Sequence, residues 1–228
     1  MTLQLYYFPT LNGHKVTIAL EEMGLAYDIV MVNILEGDQH KPEFLAINPN
    51  GRIPAMVDPD ADGGPVTVFE SAAILQYLGR KTGRFYAADE QTRAHIDSWL
   101  FWQMAGLGPI SGQANWFTRV SNKPEMEEAR GVDYALNRFL KETRRLFGVL
   151  ERGLDGRDFL CGDYSIADMC CWTWIDKYPQ NGGGLDDFPG VASWHKRIAQ
   201  RPAVQRGLEA GIDLLPDAMR RKFAEART

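Results

Sequence analysis

The first third of the chain changes its hydrophobic period several times. Leu3 to Phe8 is an aromatic-rich strand, and Tyr27 to Val32 is a second run with period-two patterning. Between them, Val16, Ala19, Leu20 and Met23 recur at helical spacing, with Gly24 placed as a stop. Residues 41–47 read as a short helix before the Asn48-Pro49-Asn50-Gly51 turn. Residues 55–58 and 65–69 form a hairpin around Asp60-Ala61-Asp62-Gly63-Gly64. Ile74, Leu75 and Leu78 then give a closing helix that ends near Gly83. The order βαβ–ββα predicts a small α/β sandwich with a mixed sheet.

Beyond residue 88 the strand signals disappear. Ile96, Trp99, Leu100, Gln103, Met104 and Leu107 follow one helix face. Ala129, Val132, Leu136, Phe139, Leu140, Thr143, Leu146 and Leu150 follow a second, longer one. Ile166 to Ile175 is apolar nearly all round and should be the central helix of a bundle. Ser165-Ile166-Ala167-Asp168 at its start is a capping box. Trp99, Phe101, Trp102, Trp172 and Trp174 read mostly as core. The expected organisation is an α/β domain over 1–84, a linker at about 85–89 and an all-α domain over 90–228.

Composition narrows the function classes. The net charge is −5 without a basic run, which argues against nucleic acid as a partner. No charged start followed by a long apolar stretch is present, and no apolar run reaches spanning length, so a cytoplasmic protein with no membrane partner is expected. Three cysteines, Cys161, Cys170 and Cys171, cannot all pair and form no C-x-x-C, which points to reduced thiols. The four histidines are scattered without metal-ligand spacing, so no metal is expected.

The segment with most chemical content runs from Asn50-Gly51-Arg52-Ile53-Pro54 to Val68-Phe69-Glu70-Ser71-Ala72. An Ile-Pro bond between a turn and a β-rich run is a site for a cis peptide, and the missing proline N–H frees main-chain groups near Ile53 for a ligand. Glu70-Ser71 lies where a strand gives way to a helix, whose first turn offers N–H groups to a carboxylate. Glu70 adds an acid for an ammonium. This set suits a small zwitterionic peptide.

With Phe69-Glu70-Ser71-Ala72-Ala73-Ile74 and the Ser165-Asp168 box in this order, the whole chain resembles the cytosolic glutathione transferases. Pro9-Thr10-Leu11-Asn12-Gly13-His14-Lys15, Trp99-Leu100-Phe101-Trp102-Gln103 and Gly106-Leu107-Gly108-Pro109 resemble their bacterial and fungal Nu-class members. The resemblance implies a thioredoxin-like first domain and a homodimer. It also implies glutathione as co-substrate, disulfide reductase activity and weak transferase activity toward halogenated aromatics. It places Thr10 and Asn12 at the glutathione sulfur and gives further glutathione contacts to Gln39, the Ile53 backbone, Glu70 and Ser71. Arg138 becomes a cross-subunit contact. Arg52 and Pro54 belong to the same binding loop. Tyr7-Phe8-Pro9 also resembles the first strand of the tyrosine-type transferases, where that hydroxyl holds the thiolate, so Tyr7 competes with Thr10 and Asn12.

In thioredoxin-like redox domains the turn after the first strand carries the nucleophilic cysteine; here it holds Thr10, Leu11 and Asn12. Thiol chemistry would therefore use the thiol of glutathione. Asn115, Trp116 and Phe117 are placed by resemblance at a second, more open subsite. Three readings follow: reduction of a small disulfide, conjugation of glutathione to an electrophile, or a non-catalytic binding module that keeps the fold.

Overall fold

The computed structural model describes residues 2–122, 132–175 and 184–225, with side chains described as far as residue 221. It divides into two compact units, residues 1–82 with 201–228, and residues 83–200.

The first unit is built on a four-stranded sheet in the order β2-β1-β3-β4: β1 Leu3–Tyr7, β2 Tyr27–Met31, β3 Ala55–Asp58 and β4 Val66–Phe69. β1 and β2 are parallel and joined by α1 (Leu11–Met23), while β3 is antiparallel to both β1 and β4. Alternation along β1 sorts the two faces. Leu3, Leu5 and Tyr7 are buried on one side. Tyr6, on the other, meets Phe44 of α2 (Pro42–Leu45) with ring centroids 6.0 Å apart. Phe44, Val32 and Ala55 form a small core there, against which Tyr6, Ile47 and Ile53 pack. α1 and α3 (Ser71–Thr82) pack together. α1 ends at Gly24, in the left-handed conformation that a side chain rarely adopts.

The second unit is helical. α4 (Glu90–Trp102) continues through a π-helical stretch, Gln103–Leu107, into α5 (Gly108–Ser121). The apolar period running from Ile96 to Leu107 predicts the continuity; the π-stretch is a local widening that the period does not reveal. α7 (Ile166–Ile175), of which every residue except Trp174 is buried, packs against α4, the π-helical stretch and α8 (Pro189–Ala199), while α6 (Val132–Gly153) packs on α5 and α8. Ala129 of the expected α6 pattern lies outside the described residues. At the start of α7, Asp168 accepts from Ser165 N at 3.0 Å, Leu160 N at 3.0 Å and Trp194 Nε1 at 2.8 Å, and the Ser165 hydroxyl accepts from Ala167 N at 3.2 Å. The capping box is thus also a buried clamp between segments. Phe101 departs from the expected core role: at 67 % exposure it lies on the solvent side of α4.

The compact units cut the chain differently from the boundary drawn on element type. α9 (Pro202–Glu209) is helical yet packs along α1 in the first unit. The Thr17 hydroxyl donates to Gly207 O at 2.6 Å, Arg201 grips Glu22 through two bonds of 2.6 and 2.9 Å, and Arg206 pairs with Glu21 at 2.7 Å. A helical period says that a segment is a helix and not which neighbour covers it. Among the described residues, no helix is long and apolar enough to cross a membrane.

Candidate functional site

The sheet register gathers the expected site residues of the first unit. Tyr6 pairs with Ala55, and Ala55 pairs with Phe69. Because both pairings are antiparallel, the end of β1, the start of β3 and the end of β4 lie at one edge of the sheet. One residue beyond that ladder stand Tyr7, Pro54 and Glu70. Thr10 and Asn12 follow the first, Arg52 and Ile53 precede the second, and Ser71 follows the third.

The turn after β1 is held tightly. Thr10 N donates to Phe8 O at 2.8 Å, and Thr10 caps α1 by accepting from Gly13 N at 3.1 Å. That bond uses an oxygen lone pair and leaves the hydroxyl hydrogen for another acceptor. Asn12, half-buried in the same first turn, carries two amide donors. Gly13 lets this turn approach the strand: a Cβ there would lie 2.4 Å from Phe8 O and 2.7 Å from the Tyr7 ring. Tyr7 is fully buried beneath the turn, with its hydroxyl 3.1 Å from His14 Nδ1.

The loop before β3 is shaped by Asn48, which sequence patterning treats as an ordinary turn residue. It is 2 % exposed, donates from Nδ2 to Arg52 O at 2.6 Å and accepts from Asn50 N at 2.9 Å. The Ile53-Pro54 bond is cis, as the motif suggests. Ile53 packs its side chain on the Phe44 core, and Arg52 is exposed. Gln39 sits in a short 3₁₀ turn, Asp38–His40, whose backbone lies close to Gly51. Its Nε2 is 3.1 Å from His40 Nε2, while its Oε1 is buried with no hydrogen-bond partner among the described residues. An acceptor in that state fits a donor from a ligand.

At the third strand end, Glu70 holds a left-handed backbone, φ 73°, which is unusual for a residue with a side chain. The chain thereby turns from β4 directly into α3. The Glu70 side chain stays exposed, and Ser71, 2 % exposed, opens the helix. Ser71 Oγ accepts from Lys15 Nζ at 3.3 Å, and Lys15 is fully buried. Sequence reading gave Lys15 no role of its own, because a lysine within a helix reads as solvated.

Arg138, expected as a cross-subunit contact, belongs to the second unit. It lies on the exposed side of α6, where it lines a cavity of about 1070 Å³ with Tyr134, Lys141 and Arg145. Asn115, Trp116 and Phe117 are on α5 of that unit; Trp116 is 43 % exposed, and Phe117 stacks on Phe139 at 5.5 Å. The cysteines are poor nucleophiles. Cys170 and Cys171 are fully buried. Burial, helped by the nearby Asp168 carboxylate, pushes the Cys161 thiol up to about 12. No group of three or more His, Cys, Asp or Glu among the described residues could hold a metal ion.

Residues 11–81 match the family described as glutathione S-transferase, N-terminal domain, and residues 114–210 match its C-terminal domain. The disulfide-bond oxidoreductase YfcG of Escherichia coli K12 is 44% identical over 209 residues, covering 90% of this chain and 94% of that protein. A glutathione transferase from Burkholderia graminis, solved with two glutathione molecules per subunit, superposes with a TM-score of 0.85 at 41% identity. It covers 92% of this chain and 88% of that one. One from Pseudomonas putida, solved with one glutathione disulfide per subunit, gives 0.83 at 40% identity over 92% and 91% of the two chains. The chain belongs to the glutathione transferase superfamily and stands close to its disulfide-bond oxidoreductases and Ure2-like members.

Proposed function

We propose that this protein reduces small disulfides with glutathione, using no cysteine of its own. The observation that carries the reading is the turn after β1. Where a thioredoxin-like redox site needs a thiol, Thr10 and Asn12 offer hydrogen-bond donors at a helix start, and all three cysteines are buried or held protonated. Glutathione's γ-glutamyl end is assigned to Glu70 and Ser71, its main chain to the Ile53-Pro54 loop with Gln39 and Arg52, and its sulfur to Thr10 and Asn12. Tyr7 is set aside as thiolate holder because its ring is fully buried and its hydroxyl faces His14. In a homodimer, Arg138 on the exposed side of α6 would serve the partner's site.

The energetics need no general base. A free thiol ionises near ~8.5, and half-ionisation at neutral pH requires a shift of about 1.5 units, roughly 2 kcal/mol. A helix N-terminus contributes about 0.3–1 kcal/mol, and each hydrogen bond to a charged group about 1.5–3. The dipole alone falls short; with one donor from Thr10 or Asn12 it suffices. The bound thiolate attacks one sulfur of the disulfide, forming a mixed glutathione disulfide and expelling a thiolate that takes up a proton. A second glutathione thiolate then attacks the glutathione sulfur of that mixed disulfide, releasing glutathione disulfide and the second thiol. Two relatives lend support, one carrying two glutathiones and the other glutathione disulfide.

Parallel kinetics with 2-hydroxyethyl disulfide and chlorodinitrobenzene test this. The expected result is turnover dominated by the disulfide, with Cys161→Ala matching the wild type. Turnover of the aromatic halide alone would establish conjugation instead, and glutathione binding without turnover of either would establish a binding module.

A further inference from the structure

We infer that His40 is a positioning residue for glutathione: while neutral it holds the Gln39 amide so that its oxygen accepts from the ligand's main-chain N–H, and on protonation it turns that amide over. This rests on the glutathione reading above. Gln39 Nε2 lies 3.1 Å from His40 Nε2. An amide nitrogen only donates, so the ring nitrogen that it meets accepts, and the hydrogen of the neutral ring sits on Nδ1. One hydrogen bond thereby fixes both the histidine tautomer and the face of the amide. The other face carries Oε1, buried with no hydrogen-bond partner among the described residues. A buried carbonyl oxygen in that state is costly until a donor reaches it.

The place suits such a donor. A Cβ on Gly51 would lie 3.3 Å from Gln39 O and 3.5 Å from His40 Nδ1, so the loop assigned to the peptide's main chain runs beside both residues. Gln39 as a whole is only half-buried, and the last torsion of a glutamine is soft, so its amide swings to a ligand with little strain. Protonation of the imidazole changes the arrangement. Nε2 then carries a hydrogen, and two N–H groups would face one another. Turning the amide over relieves this: Oε1 accepts from the imidazolium, and the amide nitrogen is left facing the ligand's N–H. Ligand and proton thus compete for one oxygen. The charged groups nearby are Asp38 and Lys41, which pair with each other at 2.6 Å, Glu36 and Glu43, both within the field of Lys41, and exposed Arg52 beyond Gly51. Side chains of those types titrate far from neutrality, which leaves the imidazole as the group that changes charge there.

A neighbouring charge and an amide switch predict opposite signs. Glutathione at mildly acidic pH is a net anion, so mere proximity would favour the imidazolium and move the His40 titration to higher pH. Competition for Oε1 moves it lower. Histidine Cε1–H resonances followed against pH, with and without saturating glutathione, read the sign directly, and loss of a signal in His40→Gln assigns it. The expected shift is to lower pH. His40 is exposed, so this substitution leaves the core untouched, and glutamine keeps an acceptor for Gln39 without titrating. In calorimetry, wild type should bind glutathione about fivefold more weakly than His40→Gln at about pH 5.5, and within about twofold of it at about pH 7.5. Comparing the two proteins removes the share of the pH dependence that belongs to the glutathione thiol. A His40 titration that glutathione leaves in place or raises, or affinities that weaken alike in wild type and His40→Gln, would overturn the role of His40. Wild type that binds glutathione at neither pH would overturn the glutathione reading itself, an outcome distinct from a wild type that binds at both with His40 indifferent.

Discussion

In the proposed function, Thr10 serves fold and chemistry together. Its oxygen closes the first turn of α1 on Gly13 N, and the same bond orients the hydroxyl. The arrangement depends on Gly13, because Cβ at that position meets the Phe8 carbonyl and the Tyr7 ring. Gly13→Ala should cost about 1–3 kcal/mol by overpacking. Since the obstacle is backbone, the turn carrying Thr10 and Asn12 must shift, and disulfide turnover should fall as well. Urea unfolding and steady-state rates check this; a variant as stable and as active as wild type would contradict it. At this scale the residues proposed to hold glutathione, Thr10, Asn12, Glu70 and Ser71, stand out in the sequence because each sits at a junction between periods. Lys15 and Asn48 were silent for a common reason. α1 is buried nearly all round, so no polar face marks Lys15 as exceptional, and an asparagine in a turn looks the same whether its amide faces water or the Arg52 carbonyl.

α3 carries the proposed carboxylate-binding turn at one end and is fastened at the other. Asp58, 2 % exposed at the end of β3, accepts from the Tyr77 hydroxyl at 2.6 Å and pairs with Lys81 at 2.7 Å, so the helix is locked to the hairpin. Burial alone would raise this carboxyl, but the Lys81 and Tyr77 hydrogen bonds outweigh it and hold it below its ordinary value of 3.8. A carboxyl depressed in the folded state adds stability above its unfolded pKa and loses it as pH falls through the lower folded value. Wild type should therefore lose melting temperature as pH drops below 3.8, and Asp58→Asn, less stable at neutral pH, should show a shallower acid limb. Identical slopes in the two proteins would refute the clamp. Most elements were legible from periodicity, since βαβ–ββα spacing leaves few other arrangements. The π-stretch at Gln103–Leu107 was not, because Ile96, Leu100 and Leu107 stay buried through it and the pattern of buried positions continues unbroken.

Across the molecule, the proposed function rests on the first unit providing a cradle for a borrowed thiol. The segment from Arg201 onward clusters with that unit, fastening α1 through Glu21 and Glu22. Ordering elements along the chain assigns α9 to the helical domain, because its ion-pair partners lie some 180 residues earlier and no local pattern reports them. Those pairs steady the helix whose first turn is asked to lower a thiol pKa, which is the central claim. Titrating the ultraviolet thiolate absorbance of enzyme-bound glutathione against pH tests it most directly. The account predicts ionisation near 7 in wild type, about 1.5 units below the free thiol, moving back toward the free value in Thr10→Ala and Asn12→Ala. A bound thiol that ionises where the free one does, or a lowered value untouched by both substitutions, would contradict it.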